Sequence, residues 1–391
     1  MTTYYVRSSG GSDANAGTSF GAAFATINHA LYSNATGNSS LAAGDTVVIC
    51  ADGDHILTAE VMMNTTSGSR DSRIIVSGGN GTTGAIDGTV ATIRPTTSTI
   101  AKLFSNGTSG TVTDYYFQYL SVSGKDSGGT KRGTILFDLS GTNTSVRWIW
   151  RDCVLADASS DNIKLRGTGY QFINCNSSGA GGAGFGKNGT SDSANFFNCS
   201  SANNAGVGFA CALASERYEY CLAYENGSHG FHSSSGGVQY QGSLVNCVSF
   251  ANTGAGLCIN QVDTTTGSLS AITNCSFCNN SYGIQFTNAG VTTLGDVRQT
   301  VATIAYNHSY NNSSGDTNIS GPAWSDFGPG QIGGDPLFTD AANGDFTPES
   351  GSPLLNAGLG NSNIGQVQNM PSGGGSALHL GSLGQTGIGV F

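Results

Sequence analysis

The run "FFNCSSANNAGVGF" at residues 196–209 returns, in closely similar form, as "EYCLAYENGSHGF", "VNCVSFANTGAGL" and "TNCSFCNNSYGI". Aligning on the cysteine gives Cys153, Cys175, Cys199, Cys221, Cys247 and Cys275, with His308 in the equivalent place, at steps of 22, 24, 22, 26, 28 and 33 residues. A recurring unit of this length is the signature of a solenoid, in which each unit buries its apolar face only against its neighbours. Other positions recur with it. Three residues before the anchor stand Trp150, Phe172, Phe196, Tyr218, Leu244 and Ile272, and just before it Asp152, Asn174, Asn198, Tyr220, Asn246, Asn274 and Asn307. Five after it come Asn204, Asn226, Asn252 and Asn280, and nine or ten after it a bulky residue (Ile163, Phe185, Phe209, Phe231, Leu257, Ile284), usually behind a glycine.

Units this short hold two or three alternating runs and no helical spacing, so a βαβ crossover does not fit. One coil of a parallel β-helix does. Its inward positions are the residue three before the anchor, the anchor itself and the residue two after it (Leu155, Ser177, Ser201, Ala223, Ser249, Phe277). Asn turns the corner because it tolerates the left-handed region better than other non-glycine residues. Stacked Asn amides are expected to bond along the axis at the spacing of neighbouring strands, about 4.8 Å. The cysteine ladder reads as small, buriable, reduced thiols; a disulfide framework and a metal site are the alternatives, and Cys275-x-x-Cys278 has no partner pair, so no metal site is expected.

Composition agrees. Among 391 residues, 59 are Gly and only 10% are charged, which is too little helix-forming material for an α-rich chain. The formal charge of −10 repels phosphate backbones and anionic lipid, so neither nucleic acid nor membrane is an expected partner. No apolar run approaches a membrane span, and "MTTYYVRSSGG" lacks the layout of a signal peptide.

Two further stretches carry a family resemblance. "YYVRSSGGSDANAGTSFGAAFATINHAL" with "LAAGDTVVICADGDH" resembles the opening segment of right-handed parallel β-helix proteins of the pectate-lyase-like superfamily, and "GGDPLFTDAANGDFTPESGSPLLNAG" resembles the segment that closes many of them. The fold expected is all-β: a right-handed parallel β-helix solenoid with an N-terminal capping helix and an irregular Gly-rich C-terminal tail. Its parts are residues 1–45 (first strand and capping helix), 46–320 (the β-helix) and 321–391 (closing segment and tail, an assembly contact). Phe20, Phe24, Ile27 and Leu31 fall on one helical face, with Ser19 or Thr18 as its cap.

The resemblance does not fix the activity, since this fold carries lyases, hydrolases, tailspikes and structural proteins. Its enzymes use clustered carboxylates, or a Lys or Arg base with Ca²⁺. The position after the bulky column runs Lys164, Gly186, Ala210, His232, Cys258, Gln285, without an acid. The ionisable patches are "DNIKLRG", "GFGKNGTSD" and "SERYEY". If they line one groove, Glu216 or Glu219 is the acid, Lys187 or Arg217 meets an anionic sugar, and Lys164, Arg166 and His232 bind ligand; otherwise they are ordinary charges on solvated turns. "DGDH" (Asp52, Asp54, His55) reads as a turn or as a metal or acid–base cluster. The expectation is a non-catalytic virion-surface protein of a phage (capsid decoration, fibre or spike). It is made in the host cytoplasm without a leader, trimeric, in contact with other virion proteins and host surface polysaccharide, and without a cofactor. The alternative is a polysaccharide-degrading lyase or hydrolase, with Ca²⁺ if a lyase.

Overall fold

The computed structural model describes residues 1–31, 41–63, 72–105, 114–139, 148–187, 193–211, 216–234, 242–260, 271–287 and 290–365. Successive short strands pair in parallel with the strand one period away, building three long sheets. The first holds eleven strands, from Thr3–Val6 to Ile304–Ala305. The second holds ten, from His55–Leu57 to His308–Tyr310, and the third ten, from Val61–Met62 to Gly315–Thr317. This is the right-handed parallel β-helix.

The ladder positions stack as the period requires. Trp150 pairs with Phe172, Phe172 with Phe196, Phe196 with Tyr218 and Tyr218 with Leu244. The in-register rings lie nearly parallel, at centroid distances of 4.6, 4.8 and 4.8 Å for the first three pairs. A second stack, Phe185–Phe209–Phe231, keeps 5.0 Å steps and meets the first edge-on, as Phe185 does Phe196 at 5.2 Å. Each such pair adds about 0.5–1.5 kcal/mol beyond its buried area. The anchor cysteines are buried and free. Each thiol donates to the carbonyl two residues earlier, at 3.3–3.4 Å. Burial pushes the Cys153, Cys199, Cys221 and Cys275 thiols well up.

The corner before each cysteine is left-handed: φ is 53° at Asp152, 52° at Asn174 and Asn198, 55° at Tyr220, Asn246 and Asn274. On this corner Asn198 Nδ2 donates to Asn174 Oδ1 at 3.0 Å and Asn174 Nδ2 to Asp152 Oδ1 at 2.8 Å. At the second corner the left-handed residue is the one before the recurring Asn: Asn203, Glu225, Ala251 and Asn279, with φ of 54°, 53°, 51° and 57°. Asn204, Asn226, Asn252 and Asn280 are instead buried and bond along the axis.

The last coil corrects one alignment. His308 pairs with Ser276, not with Cys275, and Tyr306 takes the left-handed corner. Asn307 therefore occupies the cysteine position, fully buried, accepting from Cys275 N at 2.9 Å and donating to Ile272 O at 2.9 Å. The inserted helix Leu294–Thr300, closed by a Thr293/Asp296 capping box, lengthens this coil and breaks the period.

At the N-terminus the expected single helix is a 3₁₀ turn (Phe20–Ala22) and a five-residue α-helix (Ile27–Leu31). Between them Phe24 N donates to Tyr5 O and Phe24 O accepts from Arg7 N, so the chain makes a strand-like bridge there; neither Ser19 nor Thr18 caps a continuous helix. Phe24, Ile27, Ala30 and Leu31 still close the core. Thr3–Val6 belongs to the first sheet. At the other end, Ile332 N donates to Asn307 O, and the hairpin of Phe338–Asp340 with Asp345–Pro348 sets Phe346 on Leu222 and Val248 of the second sheet's outer face. The Gly-rich tail beyond residue 365 lies outside the described residues. Among the described residues no helix is long and apolar enough to cross a membrane.

Candidate functional site

Strand alternation decides which polar side chains reach solvent. In the third sheet Ile163, Phe185, Phe209, Phe231, Leu257 and Ile284 fill the core, so the next residue of each strand faces out. Register places Asp138, Lys164 and Gly186 side by side, and further along Ala210, His232, Cys258 and Gln285. The sequence reading of this column began at Lys164 and found no acid; one coil earlier it holds Asp138. That carboxylate is paired with Lys102 Nζ at 3.0 Å. Asp161 leans over Gly186, where an added Cβ would come within 3.1 Å of its Cγ. Its Oδ1 accepts from Ala183 N at 2.7 Å. Gly186 and Ala210 thus form the small-residue floor between a charged end (Asp138, Lys164, Asp161) and an imidazole–thiol end.

At that second end His232 lies in register with Cys258 of the next coil, and the His229 and His232 ring centroids are 5.2 Å apart. Burial, and then the neighbouring His229, bring His232 down to about 4; burial lowers His229 as well. Burial pushes the Cys258 thiol up to about 11 against the contact with Thr287. All three are neutral at pH 7. One ligand atom from each of His229, His232 and Cys258 lies within 4.8 Å of the others, the one such cluster of three His, Cys, Asp or Glu side chains among the described residues. Sequence reasoning named Cys258 only as a member of the column after the bulky residues and passed over His229; the clue was "HGFH" one coil below an outward-facing cysteine.

The other expected site residues fall on different surfaces. Lys187 and Glu216 point into the core: their side chains are 6% and 3% exposed, Nζ lies 3.7 Å from Oε1, and Tyr218 donates to Oε2 at 2.9 Å. Arg217 and Glu219, on the opposite side of the same strand, pair with each other outside the first sheet. Arg166 follows the Ile163–Leu165 strand, its carbonyl accepting the Tyr170 hydroxyl. The structure joins Lys187 to Glu216 and Arg217 to Glu219, and puts only Lys164 and His232 in one outward column. Asp192 lies outside the described residues.

"DGDH" is a turn tied down by arginines. Asp52 accepts from Arg7 Nε at 3.0 Å and from Ser8 and Ser9, and these bonds hold its carboxyl below the usual range although burial opposes them. Asp54 pairs with Arg94 at 2.8 Å, and His55 Nε2 bonds Cys50 O at 2.7 Å.

No family model and no curated protein matches the sequence. Among solved structures, pectate lyase Pel9A aligns at a TM-score of 0.52 and 15% identity, over 95% of this chain and 95% of its own. Geobacillus virus E2 ORF18 gives 0.48 and 14%, over 76% of this chain and 55% of its own, and a rhamnogalacturonan lyase 0.40 and 16%, over 94% and 97%. At such identities likeness speaks for the fold alone. The chain is a right-handed parallel β-helix, with the architecture seen in pectate lyase Pel9A.

Proposed function

We propose that this protein is a rigid, non-catalytic β-helix on the outside of a phage particle, a capsid decoration, fibre or spike, that acts as a homotrimer and contacts host-surface glycan along the outer face of the third sheet. The observation carrying the non-catalytic part is the state of the acids. Asp52, Asp54, Asp126, Asp138, Asp157, Glu216 and Glu219 each sit in an ion pair with a Lys or Arg. Among the described residues, moreover, the one three-membered donor cluster contains no carboxylate. Glycoside hydrolysis needs two carboxyl groups flanking one bond, and Ca²⁺-assisted elimination needs several oxygen ligands in one place. In-register sheets suit a stiff spacer, and a polar outer strip with a small-residue floor suits a sugar chain lying along it.

A polysaccharide-degrading enzyme is the second reading. What favours it is the sharing of one outer face by Asp138, Asp161 and Lys164. Incubation with a panel of acidic and neutral polysaccharides, followed by reducing-end and unsaturated-uronate assays, separates the two. Binding without product is the expected result; product release overturns the non-catalytic reading. Antibody labelling of particles in the electron microscope tests the location, and sedimentation the trimer.

A further inference from the structure

We propose that His229, His232 and Cys258 form a binding site for a borderline-soft divalent cation, with zinc as the first choice. This stands apart from the glycan-contact reading and does not depend on it. Three features carry it. Two imidazoles and a thiol from adjacent coils converge with their ligand atoms within 4.8 Å of one another, and two nitrogens plus one sulfur is a donor set that suits zinc and disfavours calcium or magnesium. Cys258 faces outward on its strand yet is 1% exposed, so its sulfur lies in a sheltered place beside His232 rather than in the thiol ladder of the core. The backbone also makes room: a side chain at Gly254 would bring a Cβ within 2.6 Å of His229 Nδ1, so glycine there lets the imidazole lie over the coil.

The hydrogen bonds rank the ligands. Nδ1 of His229 accepts from Ala255 N at 2.9 Å, which leaves the ring proton on Nε2. His229 joins a cation only by giving up that amide or by turning its ring over, so it is the weakest of the three donors. His232 and Cys258 are the principal pair. Cys258 binds as thiolate, so its proton passes to solvent when the metal enters, and affinity rises with pH. With three protein ligands, a fourth position is left for water or a ligand oxygen.

The test is titration of the full chain with Zn²⁺ by calorimetry in two buffers of different ionisation enthalpy, alongside Co²⁺ absorption. One cation per chain, release of about one proton and a thiolate-to-cobalt charge-transfer band are expected. Cys258→Ser should abolish the band, and His232→Ala should weaken binding roughly 100-fold or more, His229→Ala less. Cys278→Ser, altering the buried thiol beside His308 under the C-terminal segment, should leave binding unchanged, and circular dichroism confirms that each variant is folded. Absence of binding to the wild-type chain, or unchanged binding in Cys258→Ser and His232→Ala, overturns the proposal.

Discussion

Asn204 Nδ2 donates to Asn226 Oδ1 at 2.9 Å, and Asn226 repeats the contact to Asn252 Oδ1 at 2.9 Å, so that one buried amide column spans the coils beneath the second corner. The column also satisfies the backbone. Asn226 Oδ1 accepts from Asn204 N at 3.2 Å, and its Nδ2 donates to Ser201 O at 3.0 Å. Asn226→Ala leaves the Asn204 N–H without its acceptor where water does not reach, and takes one of its donors from Ser201 O, which stays in the strand ladder. At about 1–3 kcal/mol for the orphaned amide, the variant should lose about 2 kcal/mol in urea denaturation. Asn343→Ala, which removes only an exposed contact to Asp340, should stay within about 0.5 kcal/mol of wild type. Equal losses would show that the column is incidental.

Ala251 is the weak point of the neighbouring outer column. Its φ is 51°, where a Cβ costs roughly 1 kcal/mol, and its counterparts Asn279 and Asn311 already bond each other at 2.8 Å. Ala251→Asn supplies a residue that tolerates this conformation and an amide able to continue the column. It should raise stability by about 1 kcal/mol, read as a higher urea midpoint at unchanged slope. A lower midpoint would count against the strain argument.

The period gave away the fold because a solenoid repeats its burial requirement every coil: the columns three before the cysteine, two after it and nine or ten after it each run through one of the three sheets, with the cysteines at the corner between the first and the second. Where an insertion stretched a coil, counting failed. The helix at Leu294–Thr300 moved the last unit by one position, and Asn307, small and polar like its neighbours, hid in the cysteine place while His308 passed for it. The site was less legible. Charges adjacent in "SERYEY" alternate between core and solvent because successive strand residues point to opposite sides, so Glu216 and Glu219 never share a surface. His232 and Cys258, distant in sequence, become neighbours through register, and pairing a polar residue with another one coil away requires knowing that register.

Lys187 and Glu216 test whether their charges are structural. Lys187 follows two residues after Phe185 on the inward side, and Glu216 shares its orientation with Tyr218. Removing one buried partner leaves the other uncompensated, typically a loss of about 3–5 kcal/mol, whereas replacing both by uncharged groups of similar volume is often neutral. Lys187→Met alone should therefore destabilise strongly, and Lys187→Met with Glu216→Gln should recover most of the loss in a thermal or urea melt. No recovery in the double variant would mean that the two side chains do not act as a pair.

His308 gives the protein an acid limb. Its Nε2 donates to Gly334 O at 2.7 Å, fastening the C-terminal segment to the second sheet, while Nδ1 faces Ser276 Oγ at 3.0 Å and Cys278 Sγ at 3.4 Å. Burial lowers its pKa below the ordinary 6.5, with the Gly334 bond and the charges of Asp316 and Asp335 opposing. The unfolded chain thus takes up a proton that the folded chain refuses, so stability is full above about pH 6.5 and falls as pH drops toward the folded value. His55, also lowered by burial, adds to the same slope. Each group contributes at most about 1.4 kcal/mol per pH unit. Between about pH 7 and pH 5 the wild type should lose more stability than His308→Gln, whose amide still donates to Gly334 O but does not titrate. Hydrogen exchange over residues 334–365 should rise on acidification in the wild type and stay flat in the variant; parallel acid limbs in the two proteins would move the titration elsewhere.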